Sequence, residues 1–286
     1  MRKYKMIVIV FCLLLIFPAW GNSEQWQDLV ENMGSGNINW SKGLVVAKGI
    51  GAPPQQYYGK PQARPTALRA ARLDAMRNIL EVIQGVRIDS TTTVKNFATE
   101  SDIITSKVEG MVRGAKVVKQ EYMSDGTVEV TIEMSLYGGF SQLILPAEIK
   151  QVETVKAMTP EPKQEAATPR VSSGVYTGLV VDARGLNARP AMAPKIMDET
   201  GQEVYGSAYV SREFAVQQGM SGYARDFDAA CRNPRVTDNP LLVKGLKTDG
   251  SGGSDVIISN ADAAKIRSAS ENLSFMKKCR VMIVVD

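Results

Sequence analysis

The sequence predicts an α+β fold, in which an antiparallel sheet is packed by a long amphipathic helix and followed by a second, smaller domain of mixed α/β structure. Apolar residues recur at steps of three and four between Pro65 and Gly85, which indicates the helix. The dipeptide Asp125-Gly126 separates two runs with the pattern of β-strands, which indicates a hairpin of the sheet. A length of 286 residues exceeds that of a typical small domain, so we expect about two domains.

The elements that precede the hairpin follow from local patterns. Residues 22–41 have a weak helical pattern and predict a short helix and a loop. The run Gly43–Gly51 is apolar and bounded by glycines, as is typical of a buried strand. Val86–Val94 is rich in β-branched residues and predicts β structure, and Ser101 is placed to cap a short helix that extends to Val108.

The hairpin itself comprises residues 115–122 and 127–137, and its second strand alternates strictly between apolar and polar side chains. One face of the sheet is therefore expected to be buried and the other to face water. Residues 150–170 contain three prolines among Lys, Glu, Gln and Ala, and this composition predicts an exposed linker. The first domain is thus expected to span residues 22–149.

The second domain, residues 171–286, is expected to be β-rich with one helix. It opens on the apolar segment Gly174–Ala183, and a second hairpin is predicted where Thr200-Gly201 interrupts two short β runs. Residues 261–273 carry an apolar stripe at helical spacing, with Asn260 as the candidate cap. Val281–Val285 is expected to be a closing strand.

The N-terminus has the pattern of a secretory signal peptide, residues 1–21, cleaved between Gly21 and Asn22. A basic start precedes an apolar run of Ile7–Phe17, which is short for a membrane span, although an uncleaved anchor is the alternative. Cys12 follows Phe11, where a lipoprotein signal needs a small residue, so lipid attachment is not expected. The formal net charge of +4 loses three positive charges with this segment, which leaves no basic surface to favour nucleic acid.

The chain contains no histidine, the residue most used for proton transfer at neutral pH and for binding zinc. Hydrolases that depend on a serine–histidine or cysteine–histidine pair are therefore excluded. The cysteines that remain after cleavage, Cys231 and Cys279, would lie in an oxidising compartment, where one disulfide is the simplest interpretation. Two free buried thiols are the alternative.

Several motifs have a functional and a plainer interpretation, and the plainer one is favoured in each case. Gly49-Ile50-Gly51 lacks the third glycine and the helix of a dinucleotide-binding turn. The loop 249–255 lacks the downstream Glu of a calcium loop and is interpreted as flexible. Ser274 and Lys277 have the spacing of a serine–lysine pair but fit a polar helix end, and Asp226 with Asp228 is an ordinary occurrence of two acids.

An ordered set of residues between Trp40 and Gly139 resembles the LPP20 lipoprotein family of bacterial envelope proteins, which includes a flagellar member. The same region is similar to the N-terminal part of flagellar assembly protein T. A later segment, residues 176–196, is similar to the C-terminal part of longer envelope members. The positions that carry the main resemblance are Gly49, Gly51, Ala52, Ala70, Ala71, Asp74, Ala75, Asn78, Leu80, Glu81, Gly85, Val86, Gly110, Arg113, Gly114, Ala115, Asp125, Gly126 and Val128.

The resemblance, the signal peptide and the missing histidine together predict a non-enzymatic, exported envelope protein that acts in assembly or as a scaffold. It would lie in the periplasm or at the periphery of the outer membrane, with the flagellar motor as one candidate location. We expect a protein partner or self-assembly, no nucleic acid, no metal and no cofactor, and membrane association stays open without a lipobox. An exposed sheet edge, or the face carrying Glu129, Thr131 and Glu133, would be the contact surface.

The alternative function is a periplasmic binding module for a small ligand or a cell-wall fragment. Arg184, Arg189 and Tyr205 would surround its pocket, since guanidinium groups suit ligands that carry carboxylates.

Overall fold

The computed structural model describes residues 27–149, 176–268 and 270–286. The predicted signal peptide, residues 1–21, and the predicted linker, residues 150–170, lie outside the described residues. Across the described ranges, no helix combines the length and the apolar character needed to cross a membrane. The fold class agrees with the prediction, because a long helix packs on an antiparallel sheet and a second, sheet-rich part follows.

The first part is a five-stranded antiparallel sheet with strand order β1-β2-β3-β5-β4. Helix α1 covers the inner face of this sheet, mainly over β3 and β5. The elements are β1 Val30–Met33, β2 Gly36–Asn39, β3 Leu44–Gly51, α1 Ala63–Gln84, α2 Val94–Thr99, α3 Asp102–Arg113, β4 Lys116–Tyr122, β5 Val128–Ser135 and α4 Gly139–Ile144.

Helix α1 approaches the sheet closely because the first three of its buried residues, Ala67, Ala71 and Ala75, are all alanine. Gly49 and Gly51 of β3 lie directly under the backbone of Ala71 and Ala75, where a Cβ on either glycine would overlap helix backbone atoms. Small residues on both sides therefore set the distance between helix and strand.

Two polar side chains of α1 complete the hydrogen bonding of β3. Strand β2 pairs with β3 only as far as Ala47, which leaves backbone groups of the next residues without a strand partner on that side. Asp74 Oδ2 accepts from the Ile50 amide at 2.9 Å, and Asn78 Nδ2 donates to the Lys48 carbonyl at 2.7 Å. These two positions of the family resemblance thus have a structural role, since they pair backbone groups of β3 that have no strand partner on the β2 side.

Three expectations for the first part require correction. Residues 22–41 were expected to contain a short helix, but residues 30–39 form the β1–β2 hairpin, turned by Gly34 at φ 58°. Strands of four residues are too short to show a period. Val86–Val94 holds only an isolated bridge, because Asp89 Oδ1 accepts from the amides of Thr91 and Thr92 and closes a turn. Helix α3 does follow Ser101, but the serine side chain makes no capping bond.

The second part is a seven-stranded mixed sheet with strand order β8-β7-β11-β10-β6-β12-β9. Strands β10, β6, β12 and β9 are mutually parallel, and the central β6 and β12 are buried on both faces, as expected for parallel strands covered by helices. The elements are β6 Gly178–Asp182, β7 Ile196–Asp198, β8 Glu203–Tyr205, α5 Arg212–Gln218, β9 Gly222–Ala224, α6 Phe227–Cys231, β10 Pro240–Asp249, β11 Asp255–Ile258, α7 Asn260–Arg267, α8 Ser270–Lys277 and β12 Val281–Val284.

The hairpin at Thr200-Gly201 and the closing strand are present as predicted. The single helix expected over residues 261–273 is instead two helices, α7 and α8, and the described residues of this part contain four helices in total. The cap of α7 is Ser259, whose hydroxyl accepts from the Asp262 amide at 3.0 Å, and Asn260 is the first helical residue. The domain boundaries proposed from the sequence stay predictions.

Candidate functional site

The most organised group of polar side chains lies where the two parts of the chain meet. Arg87 follows α1, and its side chain is only 11% exposed. Its Nη2 donates to Glu31 Oε2 at 2.6 Å, and its Nε donates to the Pro190 carbonyl at 2.8 Å. The indole Nε1 of Trp40 donates to the same Glu31 oxygen at 2.8 Å, and the guanidinium carbon of Arg87 lies 5.9 Å from the centre of the Trp40 ring. We call Glu31, Trp40, Arg87 and Pro190 the arginine junction.

Tyr223 of β9 extends the arginine junction into the second part. Its ring packs edge-on against Trp40, with the ring centres 5.8 Å apart. The Tyr223 hydroxyl donates to the Ala191 carbonyl at 2.8 Å and accepts from the Ala191 amide at 3.0 Å. Burial raises the pKa of Tyr223 to about 12, so the phenol stays protonated at neutral pH and serves as a fixed hydrogen-bonding group.

A second contact between the parts is made by the glycine-rich loop 249–255, which was interpreted from the sequence as flexible. In the structure the Gly252 amide donates to the Ser90 carbonyl, and the Ser90 hydroxyl donates to Asp255 Oδ2, both at 2.6 Å. A Cβ at Gly252 would approach the Ser90 carbonyl oxygen to 2.8 Å, so glycine is needed for this close approach. The loop therefore joins the two parts through hydrogen bonds with Ser90. Within the described part of the chain, no group of three or more metal-ligating side chains occurs.

Asp255 makes the stability of this contact between the loop and Ser90 depend on pH. Burial raises the pKa of its carboxyl, opposed by the hydrogen bonds from Ser90 and the Lys195 amide. Because the folded protein holds this proton more tightly than the unfolded chain does, the contribution of Asp255 to stability falls as pH rises from the ordinary Asp value through the raised value. We expect the free energy of unfolding of the wild type to fall relative to Asp255→Asn as the pH rises above about 4, the ordinary aspartate value, in urea titrations. A relative rise over that range would contradict this assignment.

The predicted disulfide is not formed, since both Cys231 and Cys279 are free. Cys231 packs with Val180 and Met282, whereas Cys279 belongs to the cluster that contains Val181 and Ile283. Successive strand residues point to opposite faces of a sheet, so the two thiols lie on opposite sides of β6 and β12. Burial raises the pKa of both thiols, and that of Cys279 reaches about 12.

A thiol count distinguishes this arrangement from a disulfide. In the mature protein, a maleimide should label Cys231 slowly in the folded state, because this residue is partly exposed, and Cys279 only after unfolding. The expected result by mass spectrometry without reductant is one added label in the native protein and two in the denatured protein. A denatured protein that takes up no label until it is reduced would show that the bond forms.

The residues proposed for a binding pocket are not brought together. Tyr205 is fully buried, and its hydroxyl donates to the Met220 carbonyl. Arg184 lies at the carboxyl end of β6, where it makes a bidentate ion pair with Asp182 at 2.7 and 2.8 Å and stacks over Phe227. Arg189 is exposed, and its backbone amide bonds to Gly253. These three side chains therefore share no site.

The other sequence motifs have structural positions. Gly49 and Gly51 lie under α1, and Asp226 caps α6 by accepting from the Ala229 amide at 2.8 Å. Ser274 and Lys277 are both exposed in the last turn of α8. None of these residues forms a pair of chemically complementary groups in a cavity.

A cleft of about 800 Å³ lies beside α4, where the second part meets the first. Sequence reasoning gave no indication of it, because its walls come from distant segments. Arg212 of α5 bridges the two parts there by donating to the carbonyls of Gln142 and Pro146, each at 2.9 Å. The lining is apolar below and acidic at the rim, and includes Ile88, Asp89, Phe97, Glu100, Leu145, Glu148 and Ile149.

The polar residues of the sheet face proposed as a contact surface contact other residues of this chain. Thr131 is 8% exposed, Glu129 pairs with Lys48 at 2.7 Å, and Glu133 lies 3.8 Å from the Lys116 ammonium. Strand β4, in contrast, has no neighbouring strand on its outer side among the described residues.

Comparison with known families assigns each part of the structure separately. The family model of the LPP20 lipoproteins matches residues 18–135, which end with the last strand of the first sheet, and confirms the resemblance over that region. The model for the second domain of Treponema pallidum Tp0624 matches residues 178–286, which begin with β6. No curated protein matches the chain.

Proposed function

We propose that this chain is an exported, non-enzymatic protein of the bacterial envelope that acts as an assembly or scaffold component. The observation that carries the proposal is the arginine junction: Arg87, whose side chain is 11% exposed and pairs with Glu31 of the first part, donates to the Pro190 carbonyl of the second part and so joins the two parts of the chain. The hydrophobic core also continues from one part into the other, with Ile79 and Ile283 in one cluster. An LPP20-like surface held at a fixed position on a second, Tp0624-like part suits a building block of a larger assembly.

The location follows from the N-terminal pattern and the lipoprotein family. The predicted signal peptide supports export, and the missing lipobox at Cys12 supports a periplasmic protein or one at the outer-membrane periphery. Association with the flagellar motor is the finer form of the proposal and is based on the family resemblance alone.

Fractionation and crosslinking in living cells test the proposal. The tagged full-length protein should appear in the periplasmic or outer-membrane fraction, and a membrane-permeable crosslinker should convert it to larger species that contain itself or another envelope protein. Retention in the cytoplasm, or the absence of any crosslinked species, would overturn the proposal. A deletion strain that swims normally would overturn the flagellar form of it.

The cleft beside α4 favours the second candidate function, a periplasmic binding module. Its volume lies in the range of small-ligand sites, and Asp89, Glu100 and Glu148 on its rim suit a ligand with a cationic group. Soluble cell-wall fragments should then raise the melting temperature of the wild type and of the control Glu109→Gln, but not of Glu100→Gln. Equal responses of all three proteins would exclude the cleft as the binding site.

A further inference from the structure

Strand β4 is an unusually long free edge for this protein. Among the described residues, the two sheets end in four edge strands: β1 with four residues, β8 and β9 with three each, and β4 with seven. Natural proteins keep exposed edges short because unpaired N–H and C=O groups recruit other strands. Three edges of this protein follow that rule, and β4 does not.

Three exposed apolar side chains lie at the same edge. Val118, Tyr122 and Met123 are 43%, 52% and 44% exposed, although each lies in or next to a strand. Val118 is also the extra residue of a bulge, since Val117 pairs with Ile132 and Lys119 pairs with Thr131. A bulge and lysines discourage indiscriminate pairing, so an edge with these features and exposed apolar groups is suited to one specific partner strand.

The sequence of β4 is complementary to itself in the antiparallel sense. With Gln120 on a two-fold axis, Lys119 lies opposite Glu121 of the second copy, and Val118 lies opposite Tyr122 of the second copy. Shifting the axis to Lys119 or to Glu121 would place like charges directly opposite each other. Of these three registers, only the one centred on Gln120 pairs opposite charges and apolar groups at the same time.

The sheet faces also agree in this register. Gln120 and Tyr122 pair with the buried Val130 and Val128, so they lie on the inner face, and the neighbouring Lys119 and Glu121 lie on the outer face. Residues opposite each other in an antiparallel pair share a face, so the apolar contacts would continue the inner face and the Lys–Glu pairs the outer face.

From these observations we infer that β4 pairs with β4 of a second copy of this chain, antiparallel about Gln120, to form one continuous ten-stranded sheet across a two-fold dimer. The inference rests on the proposed assembly function and identifies strand β4 as the surface through which the protein assembles. The pairing is isologous, so it closes after two copies and leaves the second, Tp0624-like part of each copy free for another partner.

Charge reversal tests the register. The mature chain, residues 22–286, should form dimers in a concentration series by analytical ultracentrifugation. Lys119→Glu and Glu121→Lys should each weaken dimerisation about tenfold or more, because each places like charges opposite each other at two symmetric positions. An equimolar mixture of the two variants should restore association, because both interchain pairs are then Glu–Lys. Lys48→Glu removes a comparable ion pair with Glu129, away from the edge, and should leave dimerisation unchanged.

A cysteine at the axis provides a second measurement. In this register the two Gln120 residues face each other directly, at a separation that a disulfide can bridge, so Gln120→Cys should give a covalent dimer under mild oxidation. Lys48→Cys should not give one beyond the background from Cys231. Circular dichroism spectra that match that of the wild type would show that all variants are folded.

The possible outcomes separate this inference from the proposed function. A purified chain that is monomeric at every concentration, or a dimer insensitive to both charge reversals, overturns the strand pairing. If such a protein is nevertheless exported and crosslinked in cells, the assembly function stands with a different surface. A charge-sensitive dimer that stays in the cytoplasm would support the pairing and overturn the envelope function.

Discussion

Replacing Arg87 with methionine is expected to lower the free energy of unfolding by about 3 kcal/mol, because the change leaves the Glu31 carboxylate without its cationic partner at a largely covered position. It also removes the donor to the Pro190 carbonyl and the cation over the Trp40 ring. The two parts of the chain share this junction, so both should be destabilised together. Urea unfolding, followed by tryptophan fluorescence and by circular dichroism, measures the effect.

A second variant separates the lost charge pair from lost packing. Arg87→Met combined with Glu31→Gln removes the unpaired charge and should be more stable than Arg87→Met alone. Arg113→Met breaks an exposed pair with Glu109, and its expected cost is below about 1 kcal/mol. If the Arg87 and Arg113 variants lose equal stability, the arginine junction does not hold the two parts together.

The elements that sequence patterns predicted are those whose signals are local and long. Helix α1 extends for 22 residues, enough for its apolar stripe to be evident, and the Asp125-Gly126 turn precedes a strand, β5, whose alternation is regular. The β1–β2 hairpin and the three-residue strand β9 are too short for any period to emerge. Residues 86–94 were misassigned because the hydrogen bonds of one residue, Asp89, override the β propensity of the threonines that follow.

The junction between the parts could not be predicted, because its partners are far apart along the chain. Arg87 and Pro190 are separated by 103 residues, and Ser90 and Asp255 by 165. No local pattern marks such a pair. The sequence predicted that the sheet would have an exposed edge, but it did not predict which strand forms that edge. The order of strands in the sheet decides this, and that order is known only from the fold. The glycine-rich loop was noticed for its composition, yet only the fold shows that its glycines allow contact with Ser90.

Gly49→Ala is expected to destabilise the first part by about 3 kcal/mol, although alanine has the higher β propensity and the added group is a single methyl. The new Cβ would overlap the backbone nitrogen of Ala75 and the carbonyl oxygen of Ala71. A side chain could change its rotamer to avoid such an overlap, but the backbone atoms of a 22-residue helix cannot. The strand or the helix must therefore move, which would disturb the bond between Asp74 and the Ile50 amide. Thermal unfolding followed by circular dichroism measures the loss.

Gly110→Ala is the matched control, since Gly110 belongs to the same set of family positions but has open space around its Cβ position. It lies within α3, where alanine is favoured over glycine, so we expect this variant to gain about 0.5 to 1 kcal/mol. Opposite signs for one substitution at two glycines would show that close packing of helix and strand, rather than the identity of the residue, is what Gly49 contributes. A loss at Gly110 equal to that at Gly49 would instead indicate a contact at Gly110 outside this chain, and a neutral Gly49→Ala would mean that α1 can move away from β3 at no cost.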